Sequence, residues 1–170
     1  GLGDVYKRQR VENVFFVLAP KEGDIFTLET LSVIEALTEE AWTTEYVNRV
    51  DSITNYQHTV AEGDDLLVDK LIPLADNLLV QDLGRIRNIA LNEPLILNRL
   101  VSGDGRVAGI NIDLHFDGEQ DQAVRKANWA WAKKEQLMRD HDWLDVYVTG
   151  STMISASFAE TGLRDVKTQT

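Results

Sequence analysis

The side chains that could do chemistry are few, and each invites a test of spacing. His58 stands near Glu62, Asp64 and Asp65, an oxygen-rich set of the kind calcium or magnesium accepts. The set lacks the ligand spacing of an EF-hand loop and its closing glutamate, so a solvated loop accounts for it. Asp113 and His115 are two residues apart, which on a strand puts both side chains on one face. A metal site needs three or four ligands and no others can be named, so an ordinary polar sheet face is expected. His141-Asp142 has the composition of a His-Asp metal phosphohydrolase pair, yet the chain holds only 3 histidines. At a helix end such a pair satisfies terminal carbonyls.

Nucleophiles fare no better. Ser151, Ser155 and Ser157 follow the end of an apolar run, where a nucleophile could sit. No G-x-S-x-G elbow surrounds them, and serine at a helix start is expected to be a cap. Ser102-Gly103-Asp104-Gly105 lacks the lysine of a phosphate loop and leads into a strand-like run, so it reads as a turn. There is no cysteine, which excludes disulfides, thiolate metal sites and cysteine nucleophiles. No cofactor is expected, and no catalytic or metal residue is assigned.

The four tryptophans are the remaining large features. Helical spacing assigns Trp131, and with it Trp42, to core packing. Trp129 falls on a different helical face and, as an aromatic on a charged helix, would suit an apolar cleft or an interface. Trp129, Trp131 and Trp143 are the candidate substrate-path or interface residues.

These residues need elements to position them. The chain has 170 residues, 44% of them hydrophobic, enough for one core. Its formal charge of −11 repels phosphate backbones and argues against nucleic-acid binding. No stretch reaches the roughly 20 apolar residues of a membrane span. Asn13–Ala19 reads as a buried strand, Leu28–Trp42 as an amphipathic helix capped by Thr27, and Val47–Thr54 as a strand. Asn55–Lys70 reads as a loop. The Leu74, Leu78, Leu79, Leu83, Ile86 and Ile89 series marks a helix ended by Asn92-Glu93-Pro94. Leu95–Val101 and Val107–Phe116 flank the Ser102–Arg106 turn as a hairpin. Ile110, Ile112, Leu114 and Phe116 then face one way, and Asn111, Asp113 and His115 the other. Gln120–His141 is the longest helix, Leu144–Thr149 a strand, and Ser155–Thr170 a last helix with Phe158 and Leu163 on one side. The order β-α-β-α-β-β-α-β-α predicts an α+β fold, a ferredoxin-like split βαβ sandwich with a mixed sheet and helices mainly on one face.

Four segments together carry a resemblance. They are Val50-Asp51-Ser52-Ile53-Thr54-Asn55 with Gly63-Asp64; Ala90-Leu91-Asn92-Glu93-Pro94-Leu95; Leu100-Val101-Ser102-Gly103-Asp104-Gly105; and Val146-Tyr147-Val148-Thr149-Gly150 with Ile154, Phe158 and Asp165. In this order they are similar to the first large extracytoplasmic loop of RND superfamily exporters of the MMPL type. The resemblance implies a periplasmic porter domain between the first two transmembrane helices of a parent in the bacterial inner membrane. It also implies partners in the same parent chain: a second porter domain and the membrane helices. Lipids or other hydrophobic compounds would be the cargo, and the proton-motive force the drive. The proton-relay residues would lie outside this sequence, and the domain would not be an enzyme.

On this reading residues 1–9, GLGDVYKRQ, are a non-native adapter-like tail, and residues 10–154 are the porter-like domain. Residues 155–170 are a helix leading toward a missing transmembrane span. An isolated copy would expose a face its partner normally covers and self-associate weakly into a homo-oligomer. The rival reading is a free-standing ferredoxin-like soluble binding module. A small hydrolase or metalloenzyme is disfavoured for want of a convergent ligand or nucleophile set.

Overall fold

The computed structural model describes residues 10–62, 65–73, 77–118 and 121–168, with side chains described except at 10, 58–69 and 161–168. The chain runs through β1 (Arg10–Pro20), α1 (Leu28–Trp42), β2 (Val47–Asp51), β3 (Gln57–Glu62), β4 (Asp65–Lys70), α2 (Leu83–Asn92), β5 (Ala108–Phe116), α3 (Gln122–Asp140), β6 (Leu144–Thr149) and α4 (Ser151–Thr168). A 3-10 turn, Val80–Asp82, precedes α2.

Four strands form one sheet in the order β2-β5-β1-β6. That order, with helices crossing from β1 to β2 and from β5 to β6, is the ferredoxin-like split βαβ arrangement. Each crossover joins strands two places apart, and the slot between them is filled by an antiparallel strand. All three pairings are therefore antiparallel, where a mixed sheet was expected.

Alternation along the strands sorts the two faces. Val14, Phe16 and Leu18 of β1 lie under the helices with Ile110, Ile112 and Leu114 of β5 and Val146 of β6, all buried. Register pairs Phe16 with Ile110 and Val14 with Ile112. Helix α1 adds Leu31, Ile34 and Leu37, and α3 adds Ala127, Ala130 and Leu137. Thr27 caps α1 by accepting the Thr30 amide at 3.1 Å. Below α1, the buried hydroxyls of Thr38, Ser52 and Thr54 bond to one another, with Thr38 Oγ1 to Ser52 Oγ at 2.8 Å. This cluster ties α1 to the turn that ends β2, so the serine and threonine of the Asp51–Asn55 stretch are packing residues.

Several elements differ from expectation. Asn55–Lys70, read as a loop, contains the two-stranded antiparallel hairpin β3–β4; polar residues on both of its strands removed the apolar alternation that marks a strand. Most of Leu95–Val101 is a series of turns, with an isolated bridge Leu97–Val101; only Leu100–Ser102 pairs antiparallel with Val107–Gly109 across the expected turn, through the bridge Val101–Ala108. Asn98 takes a positive φ of 62° in the turns, which a regular strand does not tolerate. The helix expected from Leu74 begins at Leu83. The Leu79 amide donates to the Asp82 carboxylate at 3.2 Å, starting the helical course late; residues 74–76 lie outside the described residues. Helix α4 begins at Ser151, ahead of the expected boundary at 155, directly after Gly150. The expected tail, residues 1–9, is outside the described residues. No described helix is long and apolar enough to cross a membrane.

Candidate functional site

The helix-free face of the sheet holds the best-formed concavity. Asn13 and Phe15 of β1, Asn111 and Asp113 of β5, and Arg49 and Asp51 of β2 point into it. Tyr56, Leu95, Arg99 and Leu100 form its far wall, enclosing about 680 Å³. A shallower groove of about 260 Å³ continues beside it along Phe15, Val17, Arg99, Leu100, Val107 and Gly109. Phe15, Arg99 and Leu100 line both parts.

The floor is a hydrogen-bonded ladder. Asn13 Nδ2 donates to Asn111 Oδ1 at 2.9 Å, and Asn111 Nδ2 donates to Asp113 Oδ1 at 2.9 Å. Along β2, Arg49 Nε pairs with Asp51 Oδ1 at 2.8 Å. Arg99 forms no ion pair with a described residue. The cleft thus holds two guanidinium groups and two carboxylates, locally balanced in a strongly acidic chain. Burial, and then the neighbouring Glu93 carboxylate, raise the Tyr56 phenol above its ordinary range, so it stays a neutral hydrogen-bonding hydroxyl.

Backbone placement explains the cleft's shape. The Phe15 ring lies across Gly109, where an added Cβ would come within 2.3 Å of it. Any larger residue at 109 would lift the ring and fill the groove. Gly109 also donates its amide to the Leu100 carbonyl at 2.9 Å, holding the 95–101 turns against β5.

The other expected sites disperse. Asp113 and His115 do share the open face; Asp113 is bonded to Asn111, and His115 is exposed. The side chains of His58, Glu62, Asp64 and Asp65 lie outside the described residues. His141 ends α3, donating its amide to the Leu137 carbonyl, and its ring meets Trp143 edge to face at 5.5 Å. Among the described residues no three His, Asp or Glu side chains converge as a metal site would need. Ser151 Oγ accepts the Asn13 amide at 2.9 Å, Ser155 donates to Glu12 at 2.9 Å, and Ser157 donates to the Met153 carbonyl at 3.0 Å. Their hydroxyls serve α4. Ser102 and Asp104 close a turn in which Gly105 has φ 73°.

The tryptophans exchange roles. Trp129 is half-buried, meeting the core ring of Phe16 edge to face at 5.8 Å. Lys126 sits 4.5 Å above its ring. Trp131 is 46% exposed and Trp42 48% exposed. Trp143 is half-buried between two shallow hollows at the Pro20–Thr30 and α1–α3 surfaces. The expected phase of α3 was displaced because Lys126, a cation, takes a buried position that periodicity reserves for apolar residues. Its ammonium reaches Thr44 Oγ1 and the Glu45 carbonyl, which replace its water.

The cleft itself was not expected. Only the alternation of β5 pointed to this face. Asn13, Phe15 and Val17 were hidden within one continuous apolar run, and Arg49, Tyr56 and Arg99 carried no spacing signal.

No family model matches the chain, and no curated protein is significantly similar to it.

Proposed function

We propose that this chain is an extracytoplasmic porter domain of a proton-driven RND/MMPL-like exporter of lipids or other hydrophobic compounds, serving as a passive element with no covalent chemistry of its own. One observation carries the reading beyond the sequence resemblance: β1 enters and α4 leaves at the same end of the sheet. Because β6 runs antiparallel to β1, it ends with Thr149 opposite Phe15. Helix α4 then starts against Asn13 and by Ser155 has reached Glu12, moving toward the start of β1. Two chain crossings at one end suit a domain held between consecutive membrane helices. Ile154 and Phe158, one turn apart on α4, are 59% and 75% exposed, as suits a helix bound for further apolar surroundings. In this reading the parent lies in the bacterial inner membrane, and the second porter domain covers part of this surface.

The open-face cleft favours a second reading, a free-standing ferredoxin-like module that binds a small ligand. Reading the parent gene on both sides separates the two. The porter reading expects about 20 apolar residues encoded directly after Thr170 and a similar segment upstream of Val11. A stop codon just beyond Thr170, with a start codon just ahead of Val11, would overturn it in favour of the binding module.

A further inference from the structure

We infer that the outer edge of β6 is a pairing strand for a second copy of this chain, joining two four-stranded sheets across a two-fold axis at Tyr147. The two edges of the sheet are built differently. The β2 edge is short, is interrupted by a register shift between Val47 and Arg49, and carries the exposed Arg49. These are the features that discourage strand addition. The β6 edge has no register shift, and its one charged residue, Asp145, is half-buried. It is six residues of regular strand, Leu144–Thr149, without proline, lysine or bulge, and among the described residues only β1 pairs with it.

The ladder fixes which groups face outward. The Lys21 amide bonds to the Trp143 carbonyl, so Trp143 and every second residue after it form the hydrogen-bonded pairs with β1. Asp145, Tyr147 and Thr149 therefore spend their backbone groups inward. Val146 and Val148 direct theirs outward. An antiparallel copy in the register centred on Tyr147 would hydrogen-bond Val146 to Val148 in both directions. Tyr147 would then meet its symmetry mate at a non-hydrogen-bonded position, where side chains approach most closely. Asp145 would lie opposite Thr149, a hydroxyl that can donate to it. A register shift of two pairs in one direction would set Asp145 against Asp145, so the sequence is self-complementary about Tyr147 and not about its acid.

The surroundings fit the same operation. Tyr147 is 56% exposed on the open face. On the helix side, Lys133 of α3 pairs with Glu40 of α1. Trp131 and Met138, seven residues apart and so on one side of α3, are both exposed, while α4 packs along α3 beside β6.

The chain contains no cysteine, so a single introduced one reports the register. On mild oxidation Tyr147→Cys should form a disulfide-linked dimer in high yield. Asp145→Cys and Thr149→Cys should each stay monomeric alone and cross-link when mixed. Sedimentation equilibrium of the unaltered 170-residue chain should show a monomer–dimer equilibrium that tightens with salt, since each copy is acidic. Tyr147→Lys, a change at an exposed position, should abolish the dimer with an unchanged circular dichroism spectrum. A chain that stays monomeric at both low and high salt overturns the inference. So does a dimer that Tyr147→Lys leaves intact, or equal cross-linking from all three cysteine variants.

Discussion

Lys126 is the residue whose chemistry departs most from its type. Burial lowers its pKa to about 8, and the Glu45 carboxylate offsets only part of this. The folded chain therefore binds fewer protons than the unfolded chain between pH 8 and the ordinary lysine range. By linkage, stability rises as pH increases through that window and is at its lower level below pH 8. Urea midpoints should increase from about pH 8 to about pH 10, and Lys126→Met should flatten that rise. A slope unchanged in the variant would assign it to another group. Above that window the sign reverses for Tyr56, whose raised pKa disfavours the phenolate in the folded state. Because Lys126 lies over Trp129, tryptophan emission should titrate in step. A second prediction concerns Gly109. Gly109→Ala must displace the Phe15 ring, at a cost of about 1–3 kcal/mol, and should reduce the melting temperature while altering the cleft.

At the scale of elements, two local devices are open to direct test. Gly150 has φ 116°, and a Cβ there would lie 2.6 Å from the Asn13 carbonyl oxygen. Gly150→Ala should destabilise by about 1–3 kcal/mol, with faster amide exchange in α4 than in α1. Thr27→Ala should cost about 1 kcal/mol through the lost cap on α1, measured by chemical denaturation; a neutral result would mean that water replaces the hydroxyl. The elements legible in advance were those with one dominant signal. Thr27 and an uninterrupted apolar stripe delimit α1, and strict alternation delimits β6. The β3–β4 hairpin escaped because its strands lack a consistent apolar face, and most of Leu95–Val101 misled because apolar residues packed as turns look like those of a strand. The candidate cleft was legible only along β5. Its other walls come together through tertiary contacts between residues far apart in sequence, and Trp129 and Trp131 were interchanged by one buried lysine.

The whole molecule carries 17 basic and 28 acidic residues, a formal charge of −11. Three of the described ion pairs, Arg49–Asp51, Arg87–Asp24 and Arg125–Glu45, are partly or largely exposed, and such pairs contribute little; Lys133–Glu40 is sheltered only on its lysine side. General self-repulsion should therefore outweigh them. Added sodium chloride should raise the melting temperature of the monomer, read at a concentration too low for pairing. A fall with salt would assign net stabilisation to the ion pairs.

The bonds between Asn13 and Ser151 have a mechanical meaning. Asn13 holds the start of α4 through its own amide and its side-chain carbonyl, while its Nδ2 holds Asn111, which in turn holds Asp113. A pull or twist applied to α4 loads this tie rod together with the packing of α4 on α3. The strain is delivered to the floor of the cleft, where two asparagines and an aspartate must yield together or hold together.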